Sequence, residues 1–209
     1  MEYQTRAQSS PAIDAGLRQY MLSVYNYMAS GLALTGLVAY MLFQATAVMG
    51  PTGEIVGLTN LGVTLYTGPM MCVVALAPLG IVMYMSFGIQ GMSASRAQTM
   101  FWVFAFLMGL SLSTIFLTYT GASIARVFFI TASTFGAMSI YGYTTKRDLT
   151  NFGSFLFMGL IGIIIASIVN IFMQSPALYY GISILGVLIF VGLTAYDTQK
   201  IKNMYMAYD

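Results

Sequence analysis

The sequence predicts an all-α polytopic membrane protein, a bundle of six transmembrane helices forming a single domain over residues 1–209. Three observations predict it. Of 209 residues, 58% are hydrophobic and only 7% are charged, where a soluble domain carries roughly 25% charged residues to cover its water-facing surface. The mean hydropathy is +0.80. The few charges also stand apart, at Glu2, Arg6, Asp14, Arg18, Glu54, Arg96, Arg126, Lys146, Arg147, Asp148, Asp197, Lys200, Lys202 and Asp209. They leave charge-free stretches long enough for spans of about 20 apolar residues each.

Local punctuation places the spans. Residues 1–22 read as a cytoplasmic N-terminal segment, polar and mixed, without the charged start and apolar stretch of a cleavable signal. Within it and beyond, Ile13 to Tyr27 alternates apolar and polar residues at helical spacing. That fits either a short amphipathic helix on the inner face or an extension of the first span. The first span is predicted over 24–48, ended by Gly50-Pro51. The second covers 69–88, opening at Pro69, with a kink expected at Pro78 because its ring removes a backbone donor. The third and fourth cover 100–119 and 127–145. The fifth covers 152–173. Ser175-Pro176 reads as an N-cap followed by proline at the first helical position, opening a sixth span over 177–197. Residues 198–209 read as a cytoplasmic tail.

Lys and Arg set the orientation. With the N-terminus inside, inner segments hold Arg6, Arg18, Arg96, Lys146, Arg147, Lys200 and Lys202, and outer segments hold Arg126 alone. Both termini are therefore expected in the cytoplasm. The same inventory excludes several function classes. A net charge of +2 without a basic cluster larger than Lys146-Arg147 gives no footprint for nucleic acid. There is no His and one Cys, Cys72, so no zinc set, no Cys/His or Ser/His dyad and no intrachain disulfide is expected. No cofactor and no resident metal is expected.

Lipid tails are as apolar as Leu, so inserted helices associate through small residues and hydrogen bonds. The fifth span offers Gly162, Ala166 and Asn170 at a spacing of four, the fourth Ala132 and Gly136, and the third Gly109 and Ser113. These read as packing seams. The competing reading, a water-filled path, requires Ser111, Thr114, Ser133, Ser139 and Asn170 to converge. No internal repeat supports an inverted-repeat transporter.

Asp197 is the one ionisable residue at or near membrane depth, and a carboxylate there is costly enough to default to a functional role. It closes the sixth span within Thr194-Ala195-Tyr196-Asp197-Thr198-Gln199-Lys200. The bland alternative is an interfacial acid paired with Lys200 one turn on. Desolvation would disfavour its charge and Lys200 would favour it, and the sequence leaves that balance open.

Four segments, in order, carry a resemblance: LRQYMLSVYNYMASGLALTG from Leu17, GLSLSTIF from Gly109, SIYGYTTKRDLTNFGSFLFMGLIG from Ser139 and GLTAYDTQKIKNMY from Gly192. Together they make the chain similar to the Bax inhibitor-1 (transmembrane Bax-inhibitor-motif) family, especially its bacterial members. The resemblance implies a cytoplasmic N-terminus, an inner-membrane location and a pH-sensitive calcium leak. In eukaryotic members it implies suppression of cell death. It also implies a sensor made of two aspartates, one matching Asp197 and one in a seventh helix. Such a pair shares a proton because two adjacent carboxylates cannot both ionise cheaply. The sequence given ends at Asp209, so the usual seventh helix and its aspartate are expected to be absent. Asp209 is not expected to replace that partner.

Three function classes then compete. The first is a calcium leak channel with Asp197 as the remaining sensor acid, calcium being the permeant ion. Calcium prefers six to eight oxygen ligands. One acid with carbonyls and the Thr194 and Tyr196 hydroxyls predicts a transient site, suited to permeation, with Lys200 beside it. The second is a membrane regulator that transports nothing and binds membrane proteases or stress and cell-death factors. The third, an intramembrane enzyme, lacks its parts: no span holds a His or Lys base or a pair of acids.

Overall fold

The computed structural model describes residues 11–88 and 91–208, so Glu2, Arg6 and Asp209 lie outside the described residues. Six of its helices are long and apolar enough to cross a membrane, among the described residues. The protein is an all-α polytopic membrane protein. Its residues group into two compact units, one formed by 1–22 with 127–209 and the other by 23–126.

Helix α1 runs without a break from Pro11 to Thr46. The amphipathic stretch from Ile13 is thus continuous with the first span, because no Pro follows Pro11 in α1 and the single Gly16 before the span is tolerated within a helix. The helix stops at Thr46, two residues short of the predicted end, where the chain turns to strand. Strands β1 (Ala47–Met49) and β2 (Ile55–Leu58) pair antiparallel, Ala47 opposite Leu58. Gly53, at φ 82°, adopts the left-handed conformation that the connecting turn requires. Helix α2 (Asn60–Tyr66) follows, capped by the Thr59 hydroxyl, which accepts from Gly62 N at 3.2 Å. The connection between the first two predicted spans therefore holds a hairpin and a helix.

Helix α3 (Gly68–Gly88) continues through Pro78, whose side chain is buried. Helix α4 (Ala94–Leu112) starts six residues before the predicted third span because Ser93 caps it. The chain breaks at Ser113-Thr114 and resumes as α5 (Ile115–Thr118). In this unit Thr35 donates to the Ala105 carbonyl at 2.8 Å. One turn on, a Cβ built on Gly109 would lie 2.8 Å from the Thr35 carbonyl oxygen, so α1 and α4 approach backbone to backbone. Tyr66, Ser113 and Thr46 form a buried hydroxyl chain: Tyr66 OH meets Ser113 Oγ at 2.7 Å, and Thr46 Oγ1 meets Tyr66 OH at 3.3 Å.

The other unit contains α6 (Gly121–Thr144) from Val127 onward, α7 (Thr150–Met173), α8 (Pro176–Tyr208) and the start of α1. Arg126 lies within α6, which begins earlier than the predicted span because the Thr120 hydroxyl accepts from Ser123 N. Ser175 caps α8 as its sequence suggests, its hydroxyl accepting from Leu178 N at 3.4 Å. The largest departure is at the other end of α8. The segment read as a tail from Thr198 is helical to Tyr208, since it holds the good helix formers Gln, Lys, Met and Ala, no Gly and no Pro, and charge alone ends an apolar run, not a helix.

Candidate functional site

The end of α8 carries Gly192, Ala195, Tyr196, Gln199 and Lys202, spaced by three and four, so they lie along one face. That face is packed against α6 and α7. Gly192 sits against Leu156 and Phe152, and Gly153 against the Tyr196 ring. A Cβ on Gly142 would collide with the Ala195 carbonyl oxygen, so only glycine permits this approach of α6 to α8. Ala195 is 2% exposed. Below it, the Gln199 amide spans the α6–α7 loop, accepting from Leu149 N at 2.9 Å and donating to Arg147 O at 2.8 Å. Lys202 Nζ donates to Tyr143 O at 2.8 Å and stands 5.2 Å over the Tyr143 ring. A cation there also complements the negative end of the α6 dipole. At the start of α1, Leu17 and Met21 are buried, and the Tyr20 and Tyr205 rings meet at 5.2 Å, tilted by 33°.

This face fixes the direction of its neighbours. Asp197 is exposed and turned away from it. With Thr194, Tyr196 and Lys200 it lines an open groove of about 590 Å³ between α7 and α8. Ser154 joins them from α7, and Phe157, Leu160, Phe190 and Leu193 form the apolar walls. The Thr194 hydroxyl donates to Phe190 O at 2.8 Å, which leaves the oxygen able to accept. Lys200 Nζ lies 6.0 Å over the Tyr196 ring. The four residues read from the sequence as an ion site therefore line one groove. Among the described residues, no three His, Cys, Asp or Glu side chains gather as a metal site.

Outside the groove, the Asp148 carboxylate accepts from Thr150 N at 2.9 Å and Thr150 Oγ1 at 2.6 Å. Those bonds hold its pKa below the ordinary value, the Thr150 hydroxyl contributing most.

The residues read as packing seams divide. Gly109 makes the close approach described above, and Ser113 is a hydrogen-bonding member of the buried hydroxyl chain. Gly162 does not: a Cβ there would meet no atom within 4 Å, because Gly162 and Ala166 face an apolar groove between α7 and α8. Asn170 ends the helix. Its Oδ1 accepts from Ser175 N at 3.0 Å and its carbonyl from Gln174 N at 2.8 Å, where Gln174 takes φ 50°. Of the residues proposed to line a polar path, Thr114 and Ser133 hydroxyls bond back to their own helices. Ser139 Oγ is buried without a partner.

Gln199, Lys202, Gly142, Gly153 and Ser154 were not among the sequence-based candidates. The repeat of Gly192, Ala195 and Gln199 at helical spacing is the signal that marks this face.

The family described as "Inhibitor of apoptosis-promoting Bax1" matches residues 17–209. A protein of Rickettsia prowazekii is 49% identical over 201 residues, covering 96% of this chain and 80% of the relative. The inner membrane protein YbhL of Escherichia coli is 47% identical over 191 residues, 91% of this chain and 76% of the relative. A membrane protein of Streptococcus pyogenes is 34% identical over 194 residues, 93% and 80% of the two chains. No solved structure matches. The matched region takes in α8 with Asp197, the α6–α7 loop and all six apolar helices, and the chain belongs to the Bax inhibitor-1 family of integral membrane proteins.

Proposed function

We propose that this chain is a pH-sensitive calcium leak channel of the bacterial inner membrane, with both termini in the cytoplasm and Asp197 as its sensor acid. One observation carries the reading: the Asp197 carboxylate opens onto a groove whose wall also presents Thr194, Tyr196, Ser154 and Lys200. An ionised carboxylate with hydroxyl oxygens beside it attracts a divalent cation. One acid is too few for tight binding, so the ion passes without being stored. Protonation removes the attracting charge and changes the balance with Lys200 on the same helix. Because α8 is packed on α6 and α7 through residues adjacent to Asp197, a change of contacts there acts directly on helix packing. The inner-membrane location is supported by the YbhL relative, and the orientation by the concentration of Lys and Arg in alternate connections.

The test is calcium flux into proteoliposomes holding the 209-residue chain, measured across pH. Asp197→Asn keeps the side-chain size and removes the titration. Its flux is expected to lose the pH dependence of the parent. A variant that still titrates like the parent would reduce Asp197 to an interfacial acid and overturn the sensor reading.

A further inference from the structure

We propose that the loop joining α6 to α7 is a preformed site for the phosphate of an anionic phospholipid headgroup, with Lys146 and Arg147 as its cations. The helices flanking the loop end at Thr144 and begin at Thr150, and both are apolar enough to cross the membrane. The intervening residues 145–149 reach at most about 17 Å when extended, so the loop stays at the level of the headgroups of its leaflet.

Its cations are available. Lys146 and Arg147 are exposed, and among the described residues neither side chain has a hydrogen-bond or ion-pair partner. Asp148 beside them stays ionised, both Thr150 N and Thr150 Oγ1 donating to its Oδ1, so the loop sets two cations against one acid whose Oδ1 is turned to Thr150. Of the other charged groups on this unit, Lys202 is spent on the Tyr143 carbonyl. Arg18 and Lys200 are exposed cations, and Asp197 faces the groove between α7 and α8. The loop itself therefore carries a net charge of +1, from Lys146 and Arg147 against Asp148. Arg147 adds the planar fork that meets two phosphate oxygens at once.

The loop is also held. Gln199 grips it from α8 through Leu149 N and Arg147 O, and the Thr145 hydroxyl accepts from Arg147 N at 3.3 Å. An exposed five-residue loop ordinarily loses much conformational freedom when a ligand orders it. Here the fold has already fixed the peptide units on either side of Arg147, and preorganisation of that kind raises affinity without adding contacts. A lipid phosphate is the occupant favoured over a soluble one because the flanking spans anchor the loop where headgroups are concentrated. Lipid seated there would brace the same Gln199 contact that positions α8 two residues beyond Asp197. The proposal itself is independent of whether the chain conducts calcium.

The experiment is native mass spectrometry of the purified 209-residue chain titrated with phosphatidylglycerol or phosphatidylcholine, followed by competition with inorganic phosphate. The parent is expected to retain phosphatidylglycerol over phosphatidylcholine. Joint Lys146→Gln and Arg147→Gln substitution, on exposed side chains that no buried contact uses, is expected to weaken phosphatidylglycerol retention by roughly 25-fold. Gln199→Leu is expected to weaken it in part with both charges intact, in protein whose helicity matches the parent. Arg18→Gln should retain lipid like the parent. Equal retention of the two lipids by the parent, or unchanged retention in the double variant, would overturn the site. Displacement of the lipid by equimolar inorganic phosphate would overturn its assignment to a lipid headgroup. Loss in Arg18→Gln equal to that in the double variant would reduce it to diffuse surface charge.

Discussion

Placing alanine at Gly142 and, separately, at Gly162 should move stability in opposite directions. In a helix interior Gly→Ala by itself stabilises by about 0.5–1 kcal/mol, through lower backbone entropy in the unfolded chain. At Gly162 nothing lies within 4 Å of the new methyl, so that gain is expected to stand alone. At Gly142 the methyl would collide with the Ala195 carbonyl oxygen, a backbone atom that no rotamer change can move aside. Overpacking of this kind costs roughly 1–3 kcal/mol, and it is set against the same propensity gain. Taking the middle of both ranges, the net at Gly142 is a loss of about 1–2 kcal/mol. For a chain of this length each kcal/mol corresponds to roughly 2–4 °C in Tm. Thermal melts in one detergent should therefore fall by about 2–8 °C for Gly142→Ala and rise by about 1–4 °C for Gly162→Ala. A Gly142→Ala protein that melts at or above the parent would refute the close approach of α6 to α8. A Gly162→Ala protein that melts below the parent would show that the α7 stripe is covered by something in the folded state.

Two further outcomes follow from hydrogen bonds. Ser113→Ala removes the partner at 2.7 Å from the buried Tyr66 hydroxyl, at a cost of about 1–3 kcal/mol in detergent melts. Adding Tyr66→Phe should recover part of that loss, and simple additivity of the two would show the contact to be inert. Thr150→Val should raise the Asp148 pKa toward the ordinary carboxylate value, read by carbon-detected NMR titration, because the Thr150 hydroxyl is the main cause of its lowering. The sign for stability follows: a lowered folded-state pKa contributes stability above the unfolded value, near 3.8, and that contribution disappears as pH falls through the folded value. An unchanged Asp148 titration in the variant would rule the hydroxyl out as the cause.

The spans were legible because charge and hydropathy act on the whole chain: Arg96, Arg126 and Lys146 punctuate long apolar runs, and no tertiary contact is needed to see them. The hairpin at 47–58 and helix α2 were not. Their apolar residues Val48, Ile55, Val56 and Leu61 are exposed in the fold, so they show neither the alternation of a half-buried strand nor a buried helical stripe. The continuation of α8 past Asp197 was hidden for another reason. Lys200 and Lys202 mark the end of an apolar stretch, and a helix stops only where its backbone is capped or broken. At the site, Asp197 stood out as an isolated charge, whereas Gln199 is a neutral amide whose partners are backbone atoms fifty residues away. No local pattern announces such a contact. Gly162 misled for a related reason, since small residues at a spacing of four look alike whether a neighbouring helix approaches or not.

The uninterrupted length of α8 bears on Asp197 in one more way. Thirty-three residues rise about 50 Å, at 1.5 Å each, against a hydrocarbon layer of about 30 Å. Measured from Pro176, an upright rod leaves that layer after about 20 residues, within one turn of Asp197. The carboxylate thus sits where a change of a few ångströms in bilayer thickness, or a modest change in tilt, carries it between headgroup water and acyl chains. Lipid chain length thereby becomes a variable that acts on the surroundings of this residue, with no ligand and no change of sequence.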